Sequence, residues 1–119
     1  MKANINKVSL IGILGKDPLI KLFDNGNRRA SIFLAVHDSF LNKSGRKINT
    51  TQSHRIIAWG RTADQVEKML HRGSKISLEG NLRQFEVLDK ELKFRTFQEI
   101  TLDEFEIHLE ENQKQLLRA

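Results

Sequence analysis

The sequence predicts an all-β fold with a single helix, and three observations carry that expectation. Apolar and polar residues alternate with a period of two through most of the chain, the pattern of half-buried strands. Only the stretch from Thr62 to Gly73 switches to spacings of three and four. Gly, Pro, Asn and Asp clusters punctuate the alternating runs and read as turns. At 119 residues the chain fits one domain, expected over 1–109, with a short and frayed C-terminal extension over 110–119.

Residues 5–14 alternate loosely and stop at Gly15-Lys16-Asp17-Pro18, so they predict a first strand followed by a turn. Gly12 inside that strand predicts a bend or bulge, which a strand coiling into a small barrel needs. Residues 19–23 form a short second run closed by Asn25-Gly26, a pair suited to the positive φ angles of a tight hairpin. We read this run as part of the first strand's hairpin. Arg28 and Arg29 follow, and then Ala30, Ile32, Leu34 and Val36 alternate with Ser31, Phe33, Ala35 and His37. After Phe40, residues 41–49 read as a polar connection longer than common hairpin loops, with Lys43, Arg46 and Lys47 at its tip.

Residues 50–60, Thr-Thr-Gln-Ser-His-Arg-Ile-Ile-Ala-Trp-Gly, predict the strand that matters most. Alternation places Ser53, Arg55, Ile57 and Trp59 on one face and His54, Ile56 and Ala58 on the other. The second set suits a core; the first sets a cation beside flat surfaces. A helix is expected next, opened by a capping box from Thr62 to Gln65 and carrying Ala63, Val66 and Leu70 on one apolar side. It suits a plug for one end of a barrel. Two long strands complete the chain, turning at Asp89-Lys90-Glu91, and the apolar parity of the last switches near Asp103-Glu104, where a bulge is expected.

Composition narrows the function. There is no Cys, which excludes disulfides and thiolate metal sites. No apolar run approaches the roughly 18–20 residues that span a bilayer, and the first residues lack a secretory apolar core, so a cytoplasmic location is expected. Net charge is +5 and uneven: residues 1–98 carry 18 Lys and Arg against 9 Asp and Glu, whereas 99–119 carry 2 against 6. A basic body favours a polyanionic partner, although many proteins this basic bind no nucleic acid. His37 and Asp38 are adjacent and so face opposite ways on a strand. The four His show no metal-ligand spacing, and no phosphate loop appears. No enzyme, cofactor or metal is expected.

Five curved strands with a helix between strands 3 and 4 describe an OB-fold barrel. Over 5–102 the chain carries, in order, Asn6-Lys7-Val8, Leu14-Gly15-Lys16-Asp17-Pro18, His54-Arg55-Ile56-Ile57 with Trp59-Gly60, and Glu79-Gly80-Asn81-Leu82-Arg83. In that order and spacing these residues resemble the bacterial single-stranded DNA-binding (SSB) family. The resemblance implies a homotetramer, with a dimer as the alternative, that coats single-stranded DNA with little sequence preference during replication, recombination and repair. It places Phe40 and Trp59 at stacking positions, and His54 at a subunit interface, where Phe33 is also expected. Ser53 stands where the family typically has Trp, and Val87 where it commonly has an aromatic. Phe85, two residues earlier on the same face, is the expected substitute. Lys43, Arg46, Lys47, Arg55, Arg61, Arg72, Lys75 and Arg83 are the expected phosphate contacts.

The chain also departs from the family by ending Leu116-Leu117-Arg118-Ala119, with no acidic tip, so recruitment of the usual tail-binding proteins is not expected. Two other readings stay open at this point. One is a primosomal replication-restart accessory, which fits the missing tail; the other is an OB module serving protein interaction, with the basic face incidental.

Overall fold

A computed structural model describes residues 6–109; the extension expected over 110–119 lies outside them. Six strands and one helix follow in the order β1 (Val8–Leu14), β2 (Leu19–Leu22), β3 (Arg28–Leu41), β4 (Lys47–Trp59), α1 (Gly60–Met69), β5 (Lys75–Leu88) and β6 (Phe94–Ile107). β1 pairs antiparallel with β5 from Val8↔Gly80 to Ile13↔Lys75, and its last residues cross to β3 at Ile13↔Ala35 and Leu14↔Leu34. A short parallel contact, Ile56↔Ile100 and Ile57↔Thr101, joins β4 to β6. These joints close β1, β3, β4, β6 and β5 into a five-stranded barrel, with β2 added outside β3.

The helix therefore lies between β4 and β5, not between strands 3 and 4. Leu19–Leu22 makes its own ladder with Ser31–Arg28, which turns the expected hairpin continuation into a separate strand. Gly12 sits where β1 leaves β5 for β3, and a side chain there would run into the Ala35 carbonyl oxygen. The strand bends with no slip in its ladder to β5. In β6 the register shifts between Glu79↔Glu104 and Gly80↔Leu102, leaving Asp103 as the extra residue of the expected bulge.

The inward faces meet as alternation requires: Leu14, Ile32, Leu34, Ile56, Ile76 and Leu102 are buried together with Ala63 and Val66 of α1 and Leu70 just past its end. The helix plugs one end of the barrel with that apolar side. It starts two residues before the expected capping box. Trp59 is its N-cap, with no side-chain cap, and Thr62 lies within the first turn. Arg28 of β3 ties it down through Asp64 at 3.0 Å and Glu67 at 3.3 Å. Exposed pairs of this kind contribute about 0–1 kcal/mol, so they orient the helix more than they stabilise it.

Three hairpins share one turn geometry. At 23–27, 42–46 and 89–93 the first amide donates to the last carbonyl, and the fourth amide donates back to the first carbonyl. The fourth residue has positive φ in each: Gly26 at 88°, Gly45 at 78° and Leu92 at 62°. Two expectations are corrected by this. Asn25 does not share Gly26's positive φ, so the loop is not a two-residue turn. The long loop expected over 41–49 shrinks to 42–46, because the Asn42 side chain accepts the Ser44 and Arg46 amides and lets the ladder run on to Leu41↔Lys47.

Candidate nucleic-acid interface

Directly opposed residues in a ladder share a face. On β3 and β4 the pairs Arg29↔Trp59 and Phe33↔Arg55 therefore define the barrel's outer face, and on β5 and β6 the pairs Arg83↔Glu99 and Phe85↔Phe97 do the same. The parallel contact Ile57↔Thr101 joins the two ladders on that side. Trp59, Arg83, Gln84, Phe85, Glu99 and Thr101 consequently line one open depression of about 360 Å³. Trp59 is 43 % exposed, Phe85 42 % and Phe97 46 %. Large aromatics this open on a strand face offer flat surface to a ligand rather than to a core.

The depression brings together Trp59, Phe85 and Arg83 of the expected site. It does not include Phe40, which pairs with Ile48 and by alternation belongs to the face of Ile32 and Leu34. Phe40 lies roughly 36 Å along the strand from Trp59, at ~3.3 Å per residue. It is 52 % exposed because the β3–β4 hairpin projects beyond the barrel. Ile57, expected among the flat surfaces, is buried with its partner Ser31, so the outer face of β4 is open at Arg55 and Trp59 and closed between them.

All eight expected phosphate contacts are exposed. The ion pairs among the described residues join Lys7 to Glu79, Arg28 to Asp64 and Glu67, and Arg95 to Asp89, so none of the eight is neutralised by a carboxylate. They form a spread track rather than one cluster. Lys43, Arg46 and Lys47 lie at the hairpin end, Arg55 on Trp59's face of β4, Arg61 in the first turn of α1, and Arg83 in the depression. Arg72, whose amide donates to Asp17 Oδ1 at 2.7 Å, and Lys75 lie at the far end of β5, roughly 33 Å along the strand from Phe85. A second depression, of about 480 Å³ between β1, β5 and β6, is lined by Glu104 and Glu106 and by Glu79, which Lys7 pairs, so its free charge is negative and disfavours a phosphate chain.

Of the expected interface residues, Phe33 is half-buried with Lys16 Nζ 3.9 Å from its ring centre, and His54 is half-buried opposite Leu34. Among the described residues no cluster of three His, Asp or Glu is placed to hold a metal ion, and no helix is long and apolar enough to cross a membrane. The Asp89 carboxyl in the β5–β6 turn is displaced below its ordinary value. It is held low first by the Lys93 amide, then by Arg95 and the Glu91 amide.

Sequence reasoning missed Phe97, which stacks on Phe85 with ring centres 5.8 Å apart and planes 26° apart. Centring the last hairpin on Glu91 would have set these two rings opposite each other. It also missed Phe23, whose ring lies 5.8 Å from that of Trp59 at 31°. No local signal in the sequence announces that contact, because it depends on β2 folding back on β3.

A small closed barrel with exposed aromatics and unpaired cations on one outer face defines a nucleic-acid-binding barrel of the OB type. The chain matches the Single-strand binding protein family over residues 5–108 and belongs to it. It is 38 % identical over 106 residues to the single-stranded DNA-binding protein of Bacteroides thetaiotaomicron, a match covering 87 % of this chain and 66 % of that one. It is 36 % identical over 106 residues to single-stranded DNA-binding protein 1 of Xylella fastidiosa, covering 88 % of this chain and 78 % of that one. Two solved structures share the fold. A Plasmodium falciparum SSB complex with ssDNA superposes with a TM-score of 0.80 at 23 % identity, over 91 % of this chain and 98 % of that one. A deletion mutant of the single-stranded DNA binding protein from Thermus aquaticus gives 0.81 at 24 %, over 91 % and 52 %.

Proposed function

We propose that this chain binds and coats single-stranded DNA with little sequence preference, in replication, recombination and repair. The observation that carries the reading is the depression in which Trp59 and Phe85 stand open beside Arg83, with no carboxylate pairing the cation. Unpaired bases stack on the rings, and the backbone phosphates follow the cations. Neither contact reads base identity, because every base has a π-face and every nucleotide a phosphate. A duplex keeps its bases stacked on one another and offers the rings nothing.

Phe40, at the end of the projecting hairpin with Lys43, Arg46 and Lys47, serves as a separate stacking point on a longer path. Arg55, Arg61, Arg72 and Lys75 supply phosphate contacts between and beyond the rings. Ser53 and Val87 leave fewer platforms than a fully aromatic face, which raises the electrostatic share of affinity. The working form is a homotetramer in the cytoplasm, with Phe33 and His54 in subunit contacts. No catalytic step is assigned to the chain. Fluorescence anisotropy of a labelled oligo-dT tests the reading, with unlabelled oligo-dT and unlabelled duplex as competitors. The single strand is expected to displace the probe and the duplex to leave it bound; equal competition by both would remove the stacking mechanism.

A further inference from the structure

β2 is not needed to close the barrel, yet it and the turn after it bring Lys21 and Phe23 beside Arg29 of β3 and Trp59 of β4. Lys21, Arg29 and Trp59 are consecutive cross-strand partners on β2, β3 and β4 and so stand in one row on the outer face. Phe23, two residues beyond Lys21, packs against Trp59. Lys21 Nζ lies 4.9 Å from the centre of the Phe23 ring and the Arg29 guanidinium carbon 5.4 Å from it. Both cations are thus held over one ring, a contact that positions them without neutralising them.

Neither cation has a carboxylate partner among the described residues, although Asp24 is a near neighbour in sequence. Arg29 Nε is the one buried side-chain nitrogen or oxygen among the described residues without a hydrogen-bond partner. A buried donor of this kind is normally satisfied. Two positive groups seated on a shared ring, neither paired with a carboxylate, suit an anionic ligand at that ring. Trp59 lies alongside, so the anion that suits the place is the phosphate next to a base stacked on the indole.

We propose that Lys21 and Arg29, seated on Phe23, form a phosphate subsite that extends the DNA path from Trp59 across β3 onto β2. The proposal rests on the single-stranded DNA reading and deepens it. Phe23 holds the two cations and packs against the indole, which also lines the depression shared with Phe85.

The test is the salt dependence of oligo-dT binding by the full chain, measured for the wild type, Lys21→Gln, Arg29→Gln, the double variant, and Lys68→Gln on the outside of α1 as control. For single strands log K falls with log salt by about 0.7 per neutralised phosphate. Each single variant is expected to lower the magnitude of the slope by about 0.7 and the pair by about 1.4, while Lys68→Gln keeps the wild-type slope. Circular dichroism and melting temperature identify a variant that fails to fold, and Lys21→Gln, on the exposed rim of β2, then carries the test alone. A folded Lys21→Gln with the wild-type slope overturns the subsite. A wild type that does not bind oligo-dT at all overturns the DNA reading itself, a result distinct from loss of the subsite.

Discussion

Replacing Trp59 with Ala separates stacking from charge. The indole packs against Phe23 with ring centres 5.8 Å apart and is still 43 % exposed, enough for one base to stack on it. A base–aromatic stack is worth about 1–3 kcal/mol by substitution to Ala. At about 1.4 kcal/mol per tenfold, the dissociation constant for oligo-dT should rise by roughly 5- to 140-fold. No charge is removed, so the slope of log K against log salt should stay at its wild-type value. Trp59→Phe keeps a ring and should recover most of the affinity. Loss of the Phe23 contact also costs about 0.5–1.5 kcal/mol of stability, so binding is compared well below the melting temperature. The assay is anisotropy of labelled oligo-dT at several salt concentrations, since the variant has no Trp to report. An affinity within twofold of wild type, or a slope reduced as by loss of a cation, would refute the stacking role.

Leu92 is expected to gain stability on substitution by Gly: its φ of 62° costs a chiral residue about 1–2 kcal/mol, against about 0.4–1 kcal/mol of added unfolded-chain entropy. Because Leu92 is 78 % exposed, little packing is lost, and chemical denaturation should show a net gain of around 1 kcal/mol; a loss would contradict the turn assignment. Gly80→Ala should destabilise by about 1–3 kcal/mol in the same assay, because its Cβ would meet the Thr101 carbonyl at the bulge. The Asp89 carboxyl should titrate below its ordinary 3.8 by NMR. Its folded value is depressed, so the turn's contribution is complete above the unfolded value and is lost as pH falls through the folded one. A midpoint at or above 3.8 would contradict the hydrogen bonds drawn to it.

How far the chain was legible depended on whether each feature was local. Alternation placed Ile56 and Ala58 in the core and Arg55 and Trp59 outside, because a strand of period two carries that information in adjacent residues. The parity switch located the Asp103 bulge for the same reason. Ile57 was misread because burial of an outer face depends on what another part of the chain lays over it. The status of residues 19–22 as a separate strand was hidden for a like cause, since pairing with Arg28–Ser31 is settled by the turn between them. Phe40 showed the limit most clearly. Its likeness to a stacking position was visible, but its distance from Trp59 follows only from the full length of the β3–β4 ladder.

Trp59 is the only Trp in the chain, so its own emission reports on the central claim. Titration with oligo-dT at low and moderate salt is expected to give strong, saturable quenching that weakens as salt rises, since the base lies on the indole and phosphates hold it there. Unchanged emission through the titration, together with no binding by an independent mobility shift, would contradict the assignment of this face to single-stranded DNA.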